Sequence, residues 1–104
     1  MINVNRDVES LLKQLGDRLK CARLARNESQ NVFSARIGLT RQSYSKMEKG
    51  VASIPIGYWL AASDILDRLQ TWQEVLVERE DLFEQFEQQR LKRKRASRTR
   101  GRGK

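Results

Sequence analysis

Four polar side chains occur at helical spacing in the segment 41–49, and all of them can donate hydrogen bonds to an anion or a base edge. They are Arg41, Gln42, Ser43 and Lys46. Tyr44 and Met47 fall on the other side of the same helix, where they can be buried. No acidic residue precedes Glu48 in this segment, so a phosphate approaching it would meet no repulsion. This pattern makes the segment a candidate surface for binding a nucleic acid.

The segment is predicted to be the second of two short helices. Ser29 is a good N-cap for the first helix, and Gly38 can adopt the positive φ that ends it. Thr40 is an N-cap for the second helix, which runs over Arg41–Lys49 and stops at Gly50. The predicted buried residues are Val32, Phe33, Ala35 and Ile37 on the first helix and Tyr44 and Met47 on the second. Two such helices joined by a tight turn form a helix-turn-helix, which places its second helix in the major groove of DNA.

Further helices are predicted on both sides of this pair. Apolar residues recur every three or four positions from Asp7 to Ala22, which indicates one amphipathic helix. Gly16 lies inside it, so we expect a break or a close packing contact there. Pro55 is suited to begin another helix, and helical spacing of apolar residues continues to Phe86. The predicted fold is all-α, a five-helix domain with a C-terminal helical extension and a disordered basic tail.

The net charge of +8 is unevenly distributed along the chain. Residues 1–50 carry +5, residues 51–89 carry −6, and residues 90–104 carry +9 with no acid among them. The predicted organisation is an N-terminal arm (1–7), a helix-turn-helix domain (8–70), an acidic amphipathic helix for a dimer or partner interface (71–89), and a basic disordered tail (90–104). We expect the tail to follow phosphates in a salt-dependent way, or else to be only solvated.

Several classes of function are excluded by composition. The chain has no histidine and one cysteine, Cys21, so imidazole catalysis, a disulfide framework and a cysteine-cluster metal site are ruled out within it. Cys21 is expected to be a small buried or half-buried group. No nucleophile–base pair is evident, and no apolar run approaches the length of a membrane span. We therefore expect a cytoplasmic protein that is not an enzyme, needs no metal or cofactor and does not enter a membrane.

With Ser29-Gln30 opening one helix, Gly38 in the turn, Glu48-Lys49-Gly50 closing the next helix and Pro55 starting another, the sequence resembles the Cro/CI-like (XRE) helix-turn-helix family over roughly residues 10–70. The resemblance implies that Arg41, Gln42 and Lys46 reach base edges. Arginine suits guanine and glutamine suits adenine. The phosphate contacts that it implies are Ser29, Gln30, Ser43, Ser45 and Lys49. Gln30 would also brace the recognition helix.

The resemblance also implies a partly buried salt bridge between Arg23 and Glu48. A dimer is expected, because one recognition helix covers only a half-site. Its interface, or that with a partner, is assigned to Leu69, Trp72, Leu76, Phe83 and Phe86. The alternative is that these residues complete the core of the monomer. Trp59 and Trp72 could each lie in the core or at a protein interface, and the sequence favours neither position.

The whole arrangement, from the leading leucine-rich helix to the Arg/Lys/Ser terminus, resembles HipB-like antitoxins. This implies a homodimeric repressor of its own operon that binds operator DNA and a HipA-like Ser/Thr kinase toxin. A stand-alone XRE-type regulator would have much the same sequence. A different class, a helical adaptor that grips a protein and binds phosphates through its tail, also stays open.

Overall fold

A computed structural model describes residues 2–78 and 84–92, and this part of the chain is helical without strands. Its elements are α1 (Arg6–Ala25), α2 (Gln30–Ile37), α3 (Arg41–Glu48), α4 (Ile56–Ile65), a 3₁₀ helix (Leu69–Trp72) and a helical stretch over 84–92. The chain divides into two compact units, Met1–Trp72 and Gln73–Lys104. Among the described residues, no helix is both long and apolar enough for a membrane span. The predicted all-α fold is confirmed.

The helices begin where side chains can replace missing backbone partners. Ser29 Oγ accepts a hydrogen bond from the Val32 amide at 3.2 Å, and Thr40 Oγ1 accepts one from the Ser43 amide at 3.2 Å. Gly38 ends α2 with φ +79°, as its lack of a Cβ allows. These two N-caps and this C-terminal stop are confirmed.

The first helix begins inside the segment that was predicted to be an arm. Asn5 Oδ1 accepts a hydrogen bond from the Val8 amide at 2.9 Å, so Asn5 caps a helix starting at Arg6. Asp7 and Glu9 in the first turn favour this start, because acidic groups stabilise the positive end of the helix dipole. The arm therefore ends at residue 5 rather than residue 7.

The core of the first unit forms where α2, α3 and α4 meet the inner side of α1. Phe33, Tyr44, Met47 and Ala62 are fully buried, and the rings of Phe33 and Tyr44 lie 5.2 Å apart between centroids. Trp59 is also buried, so it is a core residue. The predicted burial of Phe33, Ile37, Tyr44 and Met47 is confirmed, whereas Val32 and Ala35, also predicted to be buried, are exposed.

Cys21 is exposed, contrary to the prediction. The buried side of α1 carries Leu19, Ala22 and Arg23. At 100° per residue, position 21 points well away from all three of these positions. The apolar character of a cysteine was therefore a poor guide to its side of the helix.

Gly16 allows α1 to touch the end of α3 backbone to backbone. The helix runs through Gly16 without a break, and a Cβ atom placed there would collide with the carbonyl oxygen of Glu48 and lie 2.9 Å from that of Met47. Gly50 makes a second close approach, since a Cβ atom there would lie 2.8 Å from the amide nitrogen of Lys13. Of the two outcomes expected at Gly16, the structure shows the packing contact.

The continuous helix predicted over 71–89 is not present. Residues 73–76 form a turn, and Leu76 adopts φ +65°, which a right-handed helix cannot contain. The chain is helical again over 84–92, three residues into the predicted tail. There Arg90 Nη2 lies 2.7 Å from Glu87 Oε2, a pair one helical turn apart that favours continuation of the helix. The rest of the predicted tail lies outside the described residues.

Candidate functional site

The candidate recognition surface is the outer side of α3. Tyr44 and Met47 anchor the helix in the core, and this leaves Arg41, Gln42 and Lys46 exposed. Gln42 and Lys46 are four residues apart and therefore lie one above the other. An α-helix with long donors on its outer side has the size and chemistry to enter the major groove of DNA.

The five predicted phosphate contacts occupy different environments. Ser29 is exposed at the start of α2, and Lys49 is exposed directly after α3. Ser43 is half-buried, and its hydroxyl accepts a hydrogen bond from Thr40 Oγ1 at 3.1 Å. Gln30 and Ser45 are half-buried and, together with Lys49, line one surface cleft of about 350 Å³. The structure thus groups three of the five around a common space.

The same cleft also contains three residues that were not predicted to belong to a site. They are Lys13, Asp17 and Lys20 of α1, which line it beside Glu48 of the predicted salt bridge. Lys13 and Lys20 are seven residues apart, which places them on one side of the helix two turns from each other. That spacing was the available signal, but it does not indicate which other element the lysines face.

Arg23 and Glu48 form a bidentate ion pair between α1 and the end of α3. Arg23 Nε donates to Glu48 Oε2 at 2.7 Å, and Nη2 donates to Oε1 at 3.2 Å. The Arg23 and Glu48 side chains are only 7% and 4% exposed, so neither charge can be stabilised by water instead. The third nitrogen, Nη1, donates to the backbone carbonyl of Glu28 at 2.6 Å. The pair therefore joins α1, the α1–α2 connection and the end of α3.

Gln30 extends this network to the start of α2. Its Nε2 donates to Glu48 Oε1 at 3.0 Å. Burial alone would raise the pKa of Glu48, but the hydrogen bonds that it receives, first among them those from Arg23, lower the pKa below its ordinary value of 4.5. Glu48 is thus held as a carboxylate, and the orientation of α3 depends on it.

The sequence pattern also did not indicate the surroundings of two polar groups near this network, the Tyr44 hydroxyl and the Glu28 carboxylate. The Tyr44 hydroxyl is buried, and burial, followed by the adjacent Glu48 carboxylate, raises its pKa. Glu28 accepts a hydrogen bond from Arg36 Nη1 at 2.7 Å. Tyr44 was selected as an apolar core residue, which its ring is, and the pattern did not show that its hydroxyl lies beside a buried ion pair.

The apolar residues assigned to an interface differ strongly in exposure. In the first unit, Trp72 is half-buried, packs against the core and donates from Nε1 to Ser63 Oγ at 2.7 Å, whereas Leu69 is 40% exposed. In the second unit, Leu76 is 97% exposed and Phe86 66% exposed. Phe83 lies outside the described residues.

Comparison with known proteins agrees with this architecture. Residues 19–69 match the family model described as Helix-turn-helix, and no curated protein or solved structure matches the chain. Fold and match together define residues 19–69 as a helix-turn-helix domain, a class of DNA-binding regulatory domains. The match supports the resemblance of this segment to the Cro/CI-like (XRE) type. The match leaves the leading part of α1, residues 6–18, outside the family segment.

Proposed function

We propose that the protein is a sequence-specific transcriptional repressor that inserts α3 into the major groove of double-stranded DNA. The observation that carries this proposal is the exposure of Arg41, Gln42 and Lys46 on a helix whose inner side is fully buried. Their donors face solvent without an acidic neighbour on the same surface of α3. Arg41 reads guanine, Gln42 reads adenine, and Lys46 reaches a third base edge.

Phosphate contacts hold α3 in register without reading sequence. We assign them to Ser29, Gln30, Ser43, Ser45 and Lys49. The Gln30 amide nitrogen has two hydrogens and donates one of them to Glu48, so the other can bind a phosphate. Gln30 can thereby brace α3 and contact DNA at the same time.

The proposed repressor acts as a homodimer, because one α3 covers only half of an operator. Leu69, Leu76 and Phe86 expose apolar surface that association would bury. Trp72 contributes less, since the core already covers much of it. Phe83 stays in this assignment on its sequence position alone.

Substitutions on α3 test the reading of bases. Arg41→Ala and Gln42→Ala should each weaken binding to the preferred duplex by about 1–3 kcal/mol while leaving binding to a scrambled duplex nearly unchanged. Fluorescence anisotropy titrations against both duplexes measure the two affinities. Arg68→Ala is the control, an exposed arginine beyond α4 that should leave both affinities intact. Equal affinity ratios for wild type and both α3 variants would contradict the assignment.

We further propose that the repressor is the HipB-like antitoxin of a toxin–antitoxin operon and binds a HipA-like Ser/Thr kinase. The resemblance of the whole chain supports this, and the exposed Leu76 and Phe86 offer apolar surface outside α3 for such a partner. Co-purification with the product of the adjoining gene should give a stable complex that survives Arg41→Ala. Failure of a kinase encoded there to bind would favour a stand-alone regulator.

A further inference from the structure

Three lysines from two helical regions converge on the cleft beside α3. Lys13 and Lys20 come from α1, and Lys49 follows α3 directly. The close approach of Gly50 to the Lys13 amide brings the backbone of residues 12–13 against the end of the recognition segment. Lys13 is therefore beside Lys49 although 36 positions separate them in the chain.

The charge of the cleft favours an anion. Two carboxylates, Asp17 and Glu48, also line it. Glu48 is already matched by Arg23, which leaves three lysines against Asp17 alone. Lys13, Lys20 and Lys49 are exposed, so their ammonium groups can meet a ligand without moving out of the core.

The position of the cleft indicates which anion it would meet. Gln30 and Ser45, two of the residues assigned to phosphates, line the same space, and the exposed Lys46 directly follows Ser45 in α3. A duplex seated on α3 would bring its sugar–phosphate backbone along this edge. Lys13 lies in the part of α1 that precedes the matched family segment.

We propose that Lys13 and Lys20 are backbone-contacting residues that, with Lys49, hold phosphodiesters of the DNA flanking the site read by α3. The inference rests on the proposed function and extends it, because it gives the leading part of α1 a role in binding. Lys13 and Lys20 lie about 10.5 Å apart along the helix axis, so they reach different points of the backbone. Asp17 between them weakens the attraction and limits affinity for any sequence.

Salt-dependent titrations of Lys13→Gln test the proposal. The probes are a duplex enriched by the wild-type protein from a random library and a scrambled duplex of equal length. Loss of one phosphate contact should reduce the slope of log K against log salt by about 0.9 and weaken binding about eightfold at about 0.1 M salt. The loss should be equal on both duplexes, since a backbone contact carries no sequence information.

Two further variants complete the experiment. Asp17→Asn should strengthen binding to both duplexes, because it removes the one unmatched carboxylate of the cleft. Arg68→Gln makes the same charge change as Lys13→Gln and should have no effect. Arg68 lies three residues after Ile65, whose carbonyl oxygen accepts a hydrogen bond from Arg26 at the far end of α1. Arg26 follows Lys13 by 13 residues, which is about 20 Å along the helix axis.

The outcomes separate this inference from the proposed function. Wild-type affinity and slope for Lys13→Gln, alongside lost specificity for Arg41→Ala, would overturn the role of α1 alone. A wild-type protein that binds neither duplex would overturn both proposals. A loss for Lys13→Gln on the enriched duplex only would contradict a backbone contact and with it the inference.

Discussion

Arg23→Ala should lower the free energy of unfolding by about 3–5 kcal/mol, the largest effect that we expect from a single substitution. The variant strands Glu48, which is 4% exposed, without its bidentate partner. It also removes the hydrogen bond that Arg23 donates to the Glu28 carbonyl. Urea unfolding followed by circular dichroism measures the loss, and Arg18→Ala, an exposed arginine on the same helix, should change stability by no more than about 0.5 kcal/mol.

A double variant separates the cost of a stranded charge from the value of the pair. Arg23→Met with Glu48→Leu leaves no buried charge and should recover much of the loss, because well-packed apolar groups can replace a buried ion pair. Recovery would be incomplete, since Gln30 loses the acceptor of its hydrogen bond as well. A double variant less stable than Arg23→Ala would contradict the stranded-charge explanation.

The pH dependence of the stability difference between the wild type and Arg23→Ala gives a second measurement. In the wild type the pKa of Glu48 is lowered, so its contribution to stability is present above about 4.5 and is lost as the pH falls through the folded-state pKa. In Arg23→Ala the hydrogen bonds from Arg23 are absent, so burial raises the pKa of Glu48. Protonation of Glu48 in acid then removes the buried unpaired charge that destabilises the variant. The stability gap between the two proteins should therefore narrow on acidification, and a gap independent of pH would contradict the assignment.

Gly16→Ala is expected to have the second largest effect. The added Cβ atom would collide with the carbonyl oxygen of Glu48 and lie 2.8 Å from its carbonyl carbon, so α1 and α3 would have to separate. Forcing an atom into such a contact costs about 1–3 kcal/mol. This exceeds the gain of up to about 1 kcal/mol that alanine brings to a helix interior.

Gly57→Ala is the matched control for Gly16→Ala. Gly57 also lies in a helix, but a Cβ atom there meets no other atom within 4 Å. Its replacement should leave stability unchanged or raise it by up to about 1 kcal/mol, mainly by restricting the unfolded chain. Thermal unfolding of both variants tests this comparison. Shifts in Tm of the same sign and size for the two variants would show that the close contact at Gly16 does not affect stability.

Local signals explain which parts of the fold were predictable from the sequence. Ser29, Gly38 and Thr40 act within their own turns, so their residue types were enough to place the ends of α2 and the start of α3. The break after α4 offered no such signal. Asp67 and Leu76 adopt positive φ without being glycine, and the regular apolar spacing across them favoured a continuous helix.

The site was predictable where it depends on one helix and unpredictable where it depends on packing. The exposed positions of α3 follow from its own periodicity, with Tyr44 and Met47 as its inner side. The cleft does not, because Lys13 faces it only through the backbone approach of Gly50 to α1. Resemblance to a family supplied the Arg23 and Glu48 pairing, which spacing alone would not have indicated.

Recognition of a particular duplex by α3 is most directly tested by comparing two affinities of the wild-type protein. A duplex enriched from a random library and its scrambled counterpart are titrated at the same salt concentration. The proposed function predicts that the enriched duplex binds at least about 10³-fold more tightly, the lower end of the range for specific DNA-binding proteins. Equal affinity for the two duplexes would contradict sequence-specific binding by this domain.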